Sequence, residues 1–154
     1  MGNEAEACRE AEVVKTFDLP YGMRGTVKLI SVDEATRVAD ALFNVFAVLG
    51  GGESMDVNNE AAWHCGYLAV PKHLADRLGW TSSDYDDYED LPLHGGCTCV
   101  DRTWDEDGME VLVIGWDYRH YGDAMAEFDA DRVEADVREF ARYVVVLLER
   151  ADAL

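Results

Sequence analysis

The stretch from residue 93 to residue 123 most constrains what this chain can fold into. Its two apolar runs, 93–99 and 111–118, are joined by an acidic connection at 105–108 that ends in glycine. Apolar runs separated by a polar, glycine-containing turn are typical of a β-hairpin. The ends of this predicted hairpin gather the four polar residues His94, Asp117, His120 and Asp123.

The remaining segments show strand and helix patterns that predict an α+β fold, a mostly antiparallel sheet covered by two long amphipathic helices. The capping pair Ser31 and Glu34 starts the first of these helices, and Asp131 with Glu134 resembles a capping pair for the last one. The predicted elements are strands at 12–17, 25–30 and 62–70, long helices at 31–49 and 132–151, and a short helix at 72–78.

Length and composition indicate one globular domain over residues 1–154, with residues 1–11 frayed. The chain is 49% hydrophobic, which excludes a disordered acidic tail. No apolar run reaches the roughly 20 residues that a membrane span needs. The acidic N-terminus lacks a signal-peptide pattern, so we expect the protein in the cytoplasm, with its four cysteines reduced.

The net charge of -19 is concentrated in one part of the chain. Residues 81–136 contain 17 acidic and 3 basic residues, a net charge of -14. Such a field repels nucleic acid and attracts basic surfaces, so we expect a basic protein partner and no direct contact with DNA or RNA. The acidic side chains form three patches: Asp84, Asp86, Asp87, Glu89 and Asp90; Asp105, Glu106, Asp107 and Glu110; and Glu127, Asp129, Asp131, Glu134 and Asp136.

Carboxylates in these patches could imitate the phosphates of a nucleic acid if the fold aligns them. The phosphates of one DNA strand follow one another at about 3.4 Å along the axis and are bound by Lys and Arg. An aligned row of carboxylates would then occupy a basic nucleic-acid channel. A solubilising acidic surface without a partner is the alternative.

Three segments together resemble an uncharacterised family of phage and prophage proteins. They are Gly66-Tyr67-Leu68-Ala69-Val70-Pro71, His94-Gly95-Gly96-Cys97-Thr98 and Gly115-Trp116-Asp117-Tyr118-Arg119-His120, followed by an acidic residue at Asp123. The chain departs from the family pattern at Cys97, Cys99 and Tyr118, which argues against a shared cysteine chemistry. The resemblance implies a phage origin, but it does not indicate any particular activity. By analogy, small acidic phage proteins often inhibit CRISPR or restriction systems.

The cluster of His94, Asp117, His120 and Asp123 allows three interpretations. His94 and Asp117 could simply hydrogen-bond each other at the hairpin ends. The four side chains could instead bind a divalent metal, since imidazole and carboxylate suit zinc, manganese or iron. They could also perform acid–base catalysis.

The cysteines are expected to be buried free thiols. Cys97 and Cys99 are two apart, which places both on one face of a predicted strand. A zinc site with Cys65 or His64 is the alternative, although four ligands are not evident.

The leading hypothesis is a non-catalytic phage inhibitor that binds a basic nucleic-acid-handling protein of the host, a CRISPR effector or a restriction enzyme. It requires no cofactor and no metal. The alternative is a small metal-dependent hydrolase or nucleotide-processing enzyme that uses His94, Asp117, His120 and Asp123.

Overall fold

The computed structural model describes residues 9–32, 62–119 and 127–153, and its centre is a five-stranded antiparallel sheet. The strands lie in the order β1-β2-β3-β5-β4. Their bounds are β1 Arg9–Asp18, β2 Arg24–Val32, β3 Ala62–Pro71, β4 Cys99–Trp104 and β5 Glu110–Asp117, with helices α1 Lys72–Arg77 and α2 Ala130–Ala153. The predicted α+β class is confirmed by this sheet and its C-terminal helix.

The first hairpin forms where the sequence predicts it. A short 3-10 turn at Pro20–Gly22 connects β1 and β2. Residues 9–11, predicted to be frayed, are the first residues of β1, because they pair with the end of β2. A bulge between Val13 and Lys15 shifts the register, so that Lys15 comes opposite the buried Val27. The bulge therefore directs Lys15 toward the side of the sheet on which α2 lies.

Helix α2 packs across one face of the sheet with the apolar stripe that the sequence predicts. Val133, Val137, Val144 and Leu148 are fully buried against the strands. Gly66 on β3 permits the close approach: a Cβ there would lie 2.9 Å from the Trp116 ring and 3.0 Å from Val137. The pairing of β3 with β5 thus places Gly66 at the point where the Trp116 indole packs against α2.

The predicted hairpin at 93–123 is confirmed as β4 and β5, joined by the turn at 105–108. Gly108 there has a φ of +77°, the left-handed conformation that glycine adopts most easily. β4 starts only at Cys99, later than expected. The reason is a turn before it, in which the Gly96 N–H donates to the Leu93 carbonyl at 3.0 Å.

Two helix predictions have different outcomes. The short helix at 72–78 is confirmed as α1. The first long helix was predicted for residues 31–49. Ser31 and Val32 are the last residues of β2, and residues 33–49 lie outside the described part of the chain. Among the described residues α2 is the one long helix, and none of the helices described is both long and apolar enough to cross a membrane.

Candidate functional site

The first acidic patch lies on the loop that follows α1. Tyr85–Tyr88 form a short 3-10 helix. The Asp84 side chain caps its N-terminus by accepting a hydrogen bond from the Asp86 N–H at 3.0 Å. Tyr88 anchors the loop: it is 3% exposed, and its hydroxyl donates to the Ser82 carbonyl at 2.6 Å. Tyr85 does not anchor the loop in this way, since it is 53% exposed.

All five carboxylates of this loop are exposed, and none forms an ion pair within the described residues. Asp87 accepts a hydrogen bond from the Ser82 hydroxyl, but this hydroxyl is neutral and does not offset the charge of the carboxylate. Negative charge on Asp84, Asp86, Asp87, Glu89 and Asp90 therefore faces solvent, and no base in the described part of the chain forms an ion pair with it.

Arg102 fixes this loop beside β4. Its guanidinium donates to the Thr81 carbonyl and, at 3.3 Å, to the Ser83 hydroxyl. The ring of Trp80 stacks on Phe140 of α2 with centroids 6.4 Å apart. The acidic loop is thus bound to the edge strand of the sheet on one side and to α2 on the other.

The second acidic patch is the tip of the β4–β5 hairpin. The Asp105 side chain accepts from the N–H groups of Asp107 and Met109, both at 2.9 Å. Glu106 lies 3.7 Å from Arg24, an exposed and therefore weak pair. Trp104 is 66% exposed and Met109 61% exposed. The tip thus combines carboxylates with two large apolar side chains in contact with water.

The third patch has a different character, because four of its five carboxylates, all except that of Glu127, bind other groups of the protein. Lys15 of β1 forms ion pairs with Asp131 and, at 2.9 Å, with Glu134. Hydrogen bonds from Lys15 and then from Arg138 hold the pKa of Glu134 below its usual range. Lys15 belongs to the strand at the edge opposite β4.

The three acidic patches therefore do not form one row. The Asp84–Asp90 loop and the hairpin tip share the β4 edge, whereas Asp131 and Glu134 lie beside β1. The expected capping pair at the start of α2 is also wrong: the Asp129 side chain accepts the Arg132 N–H at 2.9 Å, and Glu134 binds Lys15 instead. Glu127 is exposed just before this helix.

His94 and Asp117 are not hydrogen-bonded to each other. The His94 ring stacks on Tyr118, with centroids 4.7 Å apart, and on Phe128, also at 4.7 Å, on the α2 side of the sheet. Asp117 follows the buried Trp116 in β5, and successive strand residues face opposite sides. The Asp117 carboxylate accepts from the Arg119 N–H at 3.4 Å. The proposed structural pair is therefore wrong.

The metal and catalytic interpretations of the four-residue cluster remain predictions, since His120 and Asp123 lie outside the described residues. Within 9–32, 62–119 and 127–153, no three His, Cys, Asp or Glu side chains are grouped so as to hold a metal ion. His64, one of the alternative ligands, donates from Nδ1 to the Phe128 carbonyl at 3.0 Å.

Cys65 and Cys97 are buried, as expected, whereas Cys99 is only partly buried, and the three described cysteines form no disulfide with one another. The expectation that Cys97 and Cys99 share a face is wrong. Cys97 precedes β4 and lies in the core on the α2 side, where burial raises its pKa. Cys99 pairs with Gly115 across the β4–β5 ladder. A Cβ built on Gly115 would lie 3.3 Å from the Cys99 Cβ and would also contact the Tyr67 ring, so Cys99 and Tyr67 lie on the same side of the sheet. The two thiols therefore lie on opposite sides of the sheet, because the chain turns before β4 begins.

A groove between segment 92–94 and α2 was not predicted from the sequence. It has a volume of about 410 Å³ and contains both aromatic and charged side chains. Its lining is Pro92, Leu93, His94, Trp116, Arg132, Asp136, Glu139, Phe140 and Tyr143. The helical members recur at three and four residues along one flank of α2, a spacing that was visible in the sequence.

A chain of hydrogen bonds through the buried Tyr118 links two residues that line this groove, Trp116 and Asp136. Trp116 Nε1 donates to the Tyr118 hydroxyl at 2.8 Å, and that hydroxyl donates to Asp136 Oδ2 at 2.7 Å. Burial raises the pKa of Tyr118 far above its usual range, so the phenol stays neutral and serves as a donor. Arg132 approaches the other oxygen of Asp136 at 3.5 Å.

No protein-family model, no curated protein and no solved structure matches this chain. The resemblance to phage proteins therefore depends on the three sequence segments alone, and the function has to be argued from the geometry of the surface.

Proposed function

We propose that this protein is a non-catalytic, phage-derived inhibitor that acts in the host cytoplasm. Its target is the basic nucleic-acid-binding surface of a host defence protein, a CRISPR effector or a restriction enzyme. One observation carries the proposal: the five exposed carboxylates at Asp84–Asp90 have no ion pair among the described residues, and Arg102 holds their loop against the sheet. A fixed group of carboxylates without ion pairs attracts a basic partner and speeds its association.

The hairpin tip supports a protein contact rather than a purely solubilising surface. Protein interfaces are enriched in Trp and Met, and a buried aromatic anchor inside a polar rim is a common energetic centre. Trp104 and Met109 are exposed at the tip, with Asp105, Glu106 and Asp107 between them. This arrangement suits an apolar contact surrounded by pairs between acidic and basic side chains.

The structure restricts how far the protein can imitate DNA. Only the loop at 84–90 and the tip at 105–110 share the β4 edge, and the bases Lys15, Arg132 and Arg138 neutralise much of the third patch. The proposed contact surface is therefore these two patches, and the start of α2 has a folding role.

Affinity capture from host lysate tests the proposal. The bait pair is the wild-type chain and a triple reversal, Asp84→Lys with Asp86→Lys and Asp87→Lys. We expect the wild type to recover a basic nucleic-acid-handling protein, with capture falling as salt is added, because screening acts within about 8–10 Å at physiological strength. The reversal should weaken binding at least about 100-fold, because like charges would face each other.

The matched control reverses three other exposed acids, Glu12→Lys, Asp18→Lys and Glu149→Lys, for the same change in net charge. It should keep most of the binding. Equal losses in the two triple variants would show that only net charge matters, and capture of no such protein would contradict the proposal.

A second candidate is a small hydrolase or nucleotide-processing enzyme built around His94. The observation that favours it is that His94 lines the same groove as Arg132 and Asp136, so that an imidazole, a guanidinium and a carboxylate converge on one cavity. Elemental analysis of purified protein with and without His94→Ala tests the metal-dependent form. A stoichiometric metal that the substitution removes would favour the enzyme.

A further inference from the structure

We propose that the groove beside α2 is a receptor site for one arginine side chain of the basic partner. The inference depends on the proposed function and extends it, because it assigns a chemical occupant to a site outside the two acidic patches. The volume of about 410 Å³ falls within the range of small-ligand sites, roughly 300–1,000 Å³.

The aromatic part of the groove suits a flat cation. Tyr143 is 37% exposed, and its ring stacks on Phe140 with centroids 6.3 Å apart and planes 20° apart. Phe140 is held from behind by Trp80 and edge-on by Trp116. A rigid, partly exposed ring at the end of such a cluster is a platform on which a guanidinium stacks by cation–π attraction.

Related stacking already occurs on the same helix. The Arg138 guanidinium lies 4.5 Å from the centroid of the Phe17 ring, and that of Arg132 lies 5.3 Å from the centroid of Phe128. The faces of these aromatic rings thus accept arginine in this protein. Tyr143 offers a comparable face inside a cavity rather than against a neighbouring strand.

The charge of the groove favours a cation over an anion. Its lining contains two carboxylates, Asp136 and Glu139, one guanidinium, Arg132, and one imidazole, His94. Asp136 is engaged by Tyr118 and Arg132. Glu139 pairs with Arg142 of its own helix at 2.8 Å, but both side chains are largely exposed, so a guest guanidinium can replace Arg142 at little cost.

The acidic loop strengthens this preference. Segment 92–94 forms one wall of the groove and directly follows the loop of five carboxylates, and the stacking of Trp80 on Phe140 ties that loop to α2. A partner drawn in by the loop would therefore meet the groove at once. An arginine seated there would stack on Tyr143 and pair with Glu139.

Nuclear magnetic resonance titration of the full chain with Nα-acetyl-arginine amide tests the site. We expect saturable shifts at Tyr143 and Glu139, with a dissociation constant on the order of millimolar for such a small fragment. The neutral isostere Nα-acetyl-citrulline amide should bind at least about tenfold more weakly. Inorganic phosphate is the third probe, and its binding would assign the groove to anions through Arg132 and overturn the proposal.

Two substitutions locate the binding. Tyr143→Leu and Glu139→Gln change exposed side chains, so both variants should fold, and each should weaken the arginine probe several-fold. Matched controls outside the groove are Tyr85→Leu, which removes a more exposed tyrosine, and Glu149→Gln on the same helix. Equal weakening by the controls, or unchanged binding in the groove variants, would contradict the site.

The two proposals can fail separately. If the loop reversal abolishes partner capture while the arginine probe never saturates, the inhibitor function stands and the arginine site is wrong. If the probe saturates with the expected variant pattern while the loop reversal leaves capture intact, the groove stands and the acidic loop is not the contact surface.

Discussion

The loop at 84–90 and the start of α2 at 129–136 are both rich in carboxylates, yet the protein uses them in opposite ways. The loop carboxylates face water and form no ion pair within the described residues. At the start of α2, Asp129 caps the helix, Asp131 and Glu134 bind Lys15, and Asp136 accepts from Tyr118.

This difference shows that formal charge does not measure the field that a partner meets. In the sequence the two regions look alike, and both belong to the segment with a net charge of -14. In the fold the α2 carboxylates stabilise local structure and are largely paired with bases, so of these two regions the loop contributes more to the outward field. Substitutions should accordingly change stability at α2 and binding at the loop.

The largest expected effect on stability is that of Asp136→Ala. It removes the acceptor of the buried Tyr118 hydroxyl, which should cost about 1–3 kcal/mol of unfolding free energy. Urea denaturation of the variant measures this loss. Asp136→Asn keeps an acceptor oxygen and should lose less.

The control for that prediction is Asp86→Ala in the acidic loop. Its side chain is exposed, so the change in stability should stay within about 0.5 kcal/mol. If Asp86→Ala destabilises the protein as much as Asp136→Ala does, the division between a folding region and a binding region is wrong.

An intermediate effect is expected for His94→Ala, since His94 lies between the two regions. Its ring contacts two aromatic rings, Tyr118 and Phe128, at 4.7 Å each, and losing both contacts should cost about 1–2 kcal/mol. His73→Ala, at an exposed position of α1, should change stability by less than about 0.5 kcal/mol.

His94→Ala also tests the role of the histidine in function. We expect partner binding to fall only in proportion to the folded fraction, measured by thermal melting beside the binding assay. A fully folded His94→Ala protein that has lost its activity, beside a loop reversal that binds normally, would favour the enzyme over the inhibitor.

The sequence predicts the local elements well because their signals are local. The β4–β5 hairpin follows from two apolar runs and an acidic turn that ends in Gly108, and the stripe that includes Val137 and Val144 is enough to predict α2. Each of these patterns depends on residues within a few turns or a few strand positions of one another.

The candidate sites were harder to predict, because they depend on how distant segments meet. The turn at Gly95 and Gly96 moves His94 away from the strand and onto the α2 side, which the pattern of the hairpin ends does not reveal. The bulge before Lys15 similarly determines which acidic side chains are neutralised. To predict the groove, one would also need to know that segment 92–94 lies beside the flank of α2 that contains Asp136 and Tyr143.

The smallest expected effect concerns the ion pairs of Lys15, which are the feature that separates the α2 region from the loop. Hydrogen bonds from Lys15 and Arg138 lower the pKa of Glu134, while hydrogen bonds to Asp131 and Glu134 raise the pKa of Lys15. The stabilisation is complete between the unfolded pKa values of Glu and Lys, about 4.3 and 10.4. It is lost as the pH falls through the lowered pKa of Glu134, or rises through the raised pKa of Lys15.

Lys15→Ala should therefore move the pKa of Glu134 back toward its ordinary value and flatten the acid limb of the stability curve. A carboxyl ¹³C titration of Glu134 and urea denaturation at several pH values measure both effects. Because the side chains are partly exposed and solvent screens the pairs, the loss of stability at neutral pH should be smaller than that of His94→Ala. Lys72→Ala, which removes a lysine paired with Asp76 at 2.7 Å, is the matched control and should leave Glu134 unchanged. A pKa of Glu134 that is the same with and without Lys15 would mean that the start of α2 is no more compensated than the acidic loop.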